Sequence, residues 1–210
     1  MNTITEKQEA SSQDRMAHLL ALAISLEPLL FEKVLDIATT DELTGAYQQS
    51  FFKDGLANEL NRAKILRYPL SLLSLSLDPS SDVSADLKHL VCNQALRVAT
   101  DELKQLSRTT DWVVRSDDSE LSLVLPGCPA DRLMELGGQL VEQLTPLEVR
   151  LADGATYLVE AALGGACHVN GTIDVDQLVE LARHARSESQ KQNRLVVLQK
   201  DPFEFRRNIA

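Results

Sequence analysis

The feature that most constrains the fold is an apolar run from Leu70 to Leu77, which reads Leu-Ser-Leu-Leu-Ser-Leu-Ser-Leu. A strand with one solvent-exposed face alternates apolar and polar residues. This run is too apolar for that pattern and is typical of a central strand. Pro69 stands directly before it and ends a helical pattern that covers about residues 47–67. We therefore predict a helix followed by a strand buried in the centre of a sheet.

The order of the remaining elements predicts an α/β domain. Apolar periodicity predicts helices over about residues 86–106, 130–144 and 175–190 and strands over about residues 147–151, 157–166 and 195–198. Two further apolar segments, at about residues 112–115 and 120–125, flank the polar turn 116–119 and indicate a β-hairpin. Because a hairpin forces antiparallel pairing, the sheet cannot be wholly parallel, and we expect a layered domain with helices against the sheet.

The segment ahead of this domain divides into a polar tail and a helix. Residues 1–12 are too polar to fold, and we expect them to be disordered. Residues 14–37 carry an apolar stripe that predicts an N-terminal helix, kinked or split at Pro28. The stripe consists of Met16, Leu19, Ala23, Leu26, Leu30, Val34 and Ile37. It fits packing on the same domain and a dimerising stalk equally well.

The predicted organisation has three parts. Residues 1–38 form the tail and the signalling or dimerisation helix, residues 39–200 form the globular domain, and residues 201–210 form a C-terminal tail. No apolar run approaches the ~20 residues of a membrane helix, and residues 1–13 lack the order of a signal peptide. These patterns predict no membrane insertion and a cytoplasmic location.

Charge and cysteine content narrow the classes of partner. The chain has 31 Asp and Glu against 21 Lys and Arg, and this net charge of −10 repels nucleic-acid phosphates. We therefore expect no nucleic-acid partner. Cys92, Cys128 and Cys167 are widely spaced and form no C-x-x-C pair, so we expect reduced thiols and no metal or redox site.

A short motif carries a family resemblance. Residues 40–45 read Thr-Asp-Glu-Leu-Thr-Gly, which resembles the T-D-x-L-T-G opening of GGDEF domains, the diguanylate cyclases of bacterial cyclic di-GMP signalling. Residues 59–63, 69–73 and 108–115 also agree with the family in order and spacing. The resemblance covers about residues 39–198. It implies a palm-type, nucleotidyl-cyclase-like domain with a central mixed, mostly antiparallel sheet flanked by helices and preceded by an N-terminal helix.

The register of this resemblance implies that the catalytic positions are altered. The five signature positions read Asp-Asp-Ser-Glu-Leu from Asp117 onward. Asp117 and Asp118 replace two glycines that let the turn lie against the nucleotide, and Ser119 replaces a metal-binding carboxylate. The other metal ligand of the family falls on Ser76, and the second acid of the same strand falls on Asp78. Because magnesium needs carboxylate or phosphate oxygens, we expect no catalytic metal, no cofactor and no enzymatic activity.

Further departures lie around the same site. The guanine-reading Asn and Asp of the family fall on Ser84 and Asn93, and residues 79–82 contain no basic counterpart of a family lysine. Of the signature itself, only Glu120 survives.

Arg108 and Asp111 form a family motif that is retained. The family carries R-x-x-D at this point as an inhibitory site for its product, cyclic di-GMP. An arginine fork can hold a phosphate, and an aspartate can accept from the guanine N1 and N2 hydrogens. The simpler interpretation is that Arg108 caps the preceding helix and Asp111 is scaffold. A second family arginine falls near Gln139, with Arg132 about two helical turns away.

We accordingly expect a catalytically inactive regulatory or interaction module in cyclic di-GMP signalling. Arg108 and Asp111 are the candidate ligand-binding residues for cyclic di-GMP, and a homodimer or a protein partner completes the expected assembly. A nucleotide-independent scaffold is the alternative, and a residual cyclase is a third class. GTP is the less favoured ligand, because Asp117 and Asp118 would meet its triphosphate with uncompensated negative charge.

Overall fold

A seven-stranded sheet with helices packed on both faces forms the domain. The structure, a computed structural model, describes residues 39–169, 173–192, 194–200 and 205–209. The chain divides into two units, residues 1–42 and residues 43–210, and the elements named below belong to the second. The tail and helix predicted over residues 1–38 lie outside the described residues.

Each described helix of the domain is followed by one strand or by two consecutive strands. The helices are α1 (Gln49–Leu66), α2 (Ala85–Leu106), α3 (Ala130–Leu144) and α4 (Val175–Gln192). The strands are β1 (Leu70–Pro79), β2 (Trp112–Asp117), β3 (Glu120–Pro126), β4 (Leu147–Arg150), β5 (Thr156–His168), β6 (Val196–Lys200) and β7 (Phe205–Ile209). Every element predicted over residues 47–198 is present, with its ends within about two residues of the prediction. None of the described helices is long and apolar enough to span a bilayer.

The sheet is mixed and mostly antiparallel, as predicted. Its order is β2-β3-β1-β5-β6-β7, with β4 paired to β5. Only the β5–β6 pair is parallel, and β1 is central because it pairs with both β3 and β5. β7 lies within the segment predicted as a C-terminal tail and adds an edge strand to β6.

The alternation of β1 explains how the two faces of the sheet differ. Leu73, Leu75 and Leu77 point into the larger core, which α2 and α3 cover. Leu70 and Leu72 point to the opposite face, where α1 and α4 pack. The next positions on that second face are Ser74, Ser76 and Asp78, so the face becomes polar toward the end of the strand.

A close contact between α4 and β5 places α4 over this polar region. Gly164 of β5 is the pairing partner of Ser74, and a Cβ at Gly164 would lie 2.0 Å from the backbone nitrogen of Arg186. The absence of a side chain at Gly164 therefore lets α4 lie directly on the sheet. As a result, the arginines of α4 reach over the polar end of β1 and β3.

Candidate functional site

Polar side chains from three strands meet on the α4 side of the sheet. Ser74 pairs with Ser122, and Ser76 pairs with Glu120, across the β1–β3 ladder. Ser122 Oγ donates to Ser116 Oγ of β2 at 3.0 Å. The pairing of β1 with β3 therefore brings Ser76 and the surviving signature residue Glu120 side by side.

Glu120 is held by two arginines from α4. Arg186 Nη2 lies 2.5 Å from Glu120 Oε1, and Arg183 Nη2 lies 3.4 Å from Glu120 Oε2. Arg186 Nη1 also donates to Ser74 Oγ at 3.0 Å. The side chains of Glu120 and Arg186 are 17% and 15% exposed, so this pair is largely shielded from water. Both carboxylate oxygens of the surviving signature residue are thus engaged by guanidinium groups.

Sequence reasoning missed these two arginines. Arg183 and Arg186 stand three residues apart on a predicted helix, and that spacing places them on one helical face. The spacing is a usable signal for a shared target. The target itself, Glu120, is more than sixty positions away in sequence and becomes a neighbour only when α4 docks on the sheet.

The turn at residues 117–119 is held by hydrogen bonds to nearby groups. The Asp118 amide donates to Asp117 Oδ1 at 2.9 Å, and Arg115 Nη2 donates to the Asp118 carbonyl at 3.2 Å. The amide of Leu77 donates to the Ser119 carbonyl at 3.0 Å, which fixes the turn against β1. Asp117 and Asp118 are exposed, and Ser119 is half-buried.

The residues at the two positions aligned with the family's metal ligands do not fit a divalent cation. Ser76 and Ser119 offer neutral hydroxyls, and the neighbouring carboxylate of Glu120 already faces Arg186 and Arg183. Magnesium prefers charged oxygen ligands in octahedral geometry. Among the residues that the structure describes, no group of three or more His, Cys, Asp or Glu side chains is arranged to hold a metal ion.

The two positions aligned with the guanine-reading residues lie on and just before α2. Ser84 is the residue before the first turn of α2 and is exposed. Asn93 Nδ2 lies 3.2 Å from His89 Nδ1 one turn earlier on the same helix. Asn93 is thus engaged within its own helix.

Arg108 and Asp111 form an ion pair with two side-chain hydrogen bonds. Arg108 Nε and Nη2 donate to the two oxygens of Asp111 at 3.1 and 3.0 Å, and the Arg108 amide donates to Asp111 Oδ2 at 2.8 Å. Arg108 Nη2 also donates to the Pro126 carbonyl at 3.1 Å, and Thr110 Oγ1 lies 3.4 Å from Asp111 Oδ1. The hydrogen bond with Asp111 raises the pKa of the Arg108 guanidinium above its ordinary value.

This pairing gives the two residues different exposures. The Asp111 side chain is only 2% exposed, whereas the Arg108 side chain is 54% exposed. Asp111 therefore orients Arg108 and presents little carboxylate to solvent. Arg132 of α3 is paired with Glu135 at 2.5 Å on the helix surface.

The cysteines are free thiols. Cys128 and Cys167 are buried and Cys92 is half-buried. Burial raises the pKa of the Cys128 thiol to about 11 and also raises the pKa values of Cys92 and Cys167. Thiols of this kind are weak nucleophiles at neutral pH.

A palm-type sheet that carries a hairpin turn beside its central strand defines a nucleotidyl-cyclase-like domain. The family profile described as "Diguanylate cyclase, GGDEF domain" matches residues 38–195, and the chain belongs to this family. The family takes its description from diguanylate cyclases, so the chain belongs to a family of cyclic di-GMP signalling.

One relative in Bacillus subtilis matches most of this chain. The chain is 26% identical over 155 residues to the uncharacterized protein YhcK of Bacillus subtilis, covering 73% of this chain and 43% of YhcK. It therefore spans less than half of that relative.

Two solved structures share the fold. The GGDEF domain of DgcB from Caulobacter crescentus, in complex with c-di-GMP, superposes with a TM-score of 0.65 at 16% identity, covering 76% of this chain and 93% of that one. Diguanylate cyclase SiaD from Pseudomonas aeruginosa, in complex with its activator SiaC, gives a TM-score of 0.69 at 18% identity, covering 93% of this chain and 76% of that one.

Proposed function

We propose that this chain is a non-catalytic GGDEF domain that serves as a regulatory or interaction module in cyclic di-GMP signalling. The observation that carries this proposal is the double engagement of Glu120 by Arg186 and Arg183, beside serines at both positions where the family binds its metal. A cytoplasmic location and a homodimer or protein partner belong to the same proposal.

Electrostatics support the loss of catalysis. A metal ion that used Glu120 would have to displace Arg186 from a contact of 2.5 Å. Breaking a buried ion pair by removing one partner costs about 3–5 kcal/mol. The hydroxyls of Ser76 and Ser119 carry no charge with which to offset that cost, and Asp117 and Asp118 add repulsion toward a triphosphate.

A turnover assay tests the proposal directly. Purified protein incubated with GTP and either Mg²⁺ or Mn²⁺ should form no cyclic di-GMP, and Glu120→Gln should behave identically. The double variant Ser76→Asp and Ser119→Asp asks in addition whether the two carboxylates alone restore the reaction. Product formation by the wild-type chain that disappears in Glu120→Gln would overturn the proposal.

Arg108 supports a second proposal, that the chain binds cyclic di-GMP. Half of its side chain is exposed, and its Nη1 donates no hydrogen bond within the described residues. A guanidinium held on one edge by Asp111 is preorganised to offer its other edge to a phosphate. In this proposal Arg108 contacts a phosphate of the ligand, and Asp111 positions the Arg108 guanidinium.

Calorimetry distinguishes a cyclic di-GMP receptor from a nucleotide-independent scaffold. Cyclic di-GMP should bind the wild-type protein with micromolar affinity, Arg108→Ala should abolish binding, and GTP should not bind. Arg194→Ala is the control, because it removes an exposed arginine whose guanidinium hydrogen-bonds to Gln192. Binding that survives Arg108→Ala would place the ligand elsewhere, and no binding by the wild type would favour the nucleotide-independent scaffold.

A further inference from the structure

A groove lies between α1 and the segment that leads into β2. Its volume is about 650 Å³, and its lining includes the aromatic residues Tyr47, Phe51 and Trp112. The Tyr47 and Phe51 rings stack at 5.0 Å, and Trp112 meets Phe51 edge-on at 5.9 Å. Tyr47 and Phe51 are 36% and 38% exposed, so aromatic surface faces the solvent here. We call this feature the aromatic groove.

The aromatic groove is built into the fold. A Cβ at Gly55 of α1 would lie 2.9 Å from the Trp112 ring, so the helix can accept this tryptophan only because residue 55 is glycine. Tyr47 also hydrogen-bonds along the edge of β2: its amide donates to the Val113 carbonyl at 2.9 Å, and its carbonyl accepts from the Arg115 amide at 2.8 Å. Since Tyr47 occupies that part of the strand edge, the groove offers side-chain contacts to a partner.

One carboxylate in the groove is uncompensated. Asp54 lines the groove one helical turn after Phe51 and makes no ion pair or hydrogen bond with any described residue. The other two acids are engaged: Glu59 accepts from Tyr68 Oη at 2.5 Å, and Asp111 is paired with Arg108. The groove therefore combines exposed aromatic rings with a net negative charge.

That combination suits a guanidinium group. Arginine stacks on aromatic faces and donates two parallel hydrogen bonds to a carboxylate, so rings and an unpaired carboxylate side by side are complementary to it. Phosphate is disfavoured, because Arg62, the basic residue that lines the groove, lies 3.7 Å from Glu59. The net charge of −10 on the chain also steers basic partners toward its surface.

We propose that the aromatic groove docks an arginine-bearing basic segment of a partner protein, with a guanidinium against the exposed rings of Tyr47 and Phe51 and hydrogen-bonded to Asp54. This proposal names a class of partner for the interaction module described under the proposed function, and it rests on that function. The test below measures neither GTP turnover nor cyclic di-GMP binding, so its failure is distinguishable from theirs.

Trp112 supplies the readout, since it is the only tryptophan of the chain. Titrating the full chain with tetra-arginine peptide should change the tryptophan fluorescence saturably, and added salt should weaken the response. Asp54→Asn should weaken binding by about fivefold, as expected for an exposed ion pair. Asp101→Asn, which removes one exposed acid from α2, should leave the affinity unchanged.

Two further peptides decide specificity. Tetra-lysine should bind more weakly than tetra-arginine, because an ammonium cannot stack or form two parallel hydrogen bonds. Tetra-glutamate should give no response. Equal responses to the two basic peptides, an affinity unaffected by Asp54→Asn, or no fluorescence change at millimolar tetra-arginine would each overturn the proposal.

Discussion

Replacing Arg186 tests the contact on which the proposed loss of catalysis depends. Arg186→Met keeps the aliphatic length of the side chain but removes the 2.5 Å ion pair with Glu120 and the 3.0 Å hydrogen bond to Ser74. Glu120 would then face only Arg183, at 3.4 Å. A largely shielded carboxylate loses its main partner in this variant.

The expected loss of stability follows from that burial. Removing one partner of a buried pair costs about 3–5 kcal/mol, and the residual exposure of Glu120 with the retained Arg183 lowers our expectation to about 2–3 kcal/mol. For a chain of this size the corresponding fall in Tm is about 4–12 °C. Arg183→Met should cost less than about 1 kcal/mol, because its contact is longer and its side chain is more exposed.

Urea denaturation of four proteins measures the effect. The wild type, Arg186→Met, Glu120→Gln and the double variant form a cycle whose coupling energy should exceed about 1 kcal/mol, since the two side chains touch. Arg183→Met serves as the matched control. A coupling energy near zero, or equal losses in Arg186→Met and Arg183→Met, would refute the assignment of Arg186 as the main partner of Glu120.

Three other expectations concern the rest of the chain. Gly164→Ala should destabilise the domain by about 3 kcal/mol or more in urea denaturation, because its Cβ would meet the backbone of α4, whereas Gly138→Ala has open space and should be neutral or stabilising. The pKa of the Cys128 thiol is raised to about 11, so this residue should react with iodoacetamide at pH 8 far more slowly in the folded chain than in the unfolded chain. The stability that comes from keeping this thiol protonated is fully present below pH 9 and should be lost as the pH rises toward 11. We expect residues 14–37 to mediate self-association, so light scattering should show a dimer for the full chain and a monomer for a version starting at residue 39. If both are monomers, the predicted apolar stripe packs on its own domain instead.

The sequence accounts for most of the fold for a physical reason. Apolar periodicity records how each segment is buried, so the run from Leu70 to Leu77 was enough to identify the central strand, and the polar turn 116–119 was enough to identify the hairpin. The family motif aligned Ser76 and Glu120 with two family positions, and the strand pairing sets these two residues side by side. The edge strand β7 was not predicted, because Phe205–Ile209 mixes apolar and charged residues without clear alternation.

Side-chain pairing over long distances was decided only by the tertiary structure. The sequence identified Arg108 and Asp111 by spacing, yet it did not show that the carboxylate turns inward to Arg108 while the guanidinium stays exposed. It gave no sign that Arg186 reaches Glu120, because that contact requires α4 to dock closely on Gly164. Local patterns thus determined the elements and their order, whereas the neighbours of each charge were fixed by strand register and helix docking, which bring together residues that no local pattern connects.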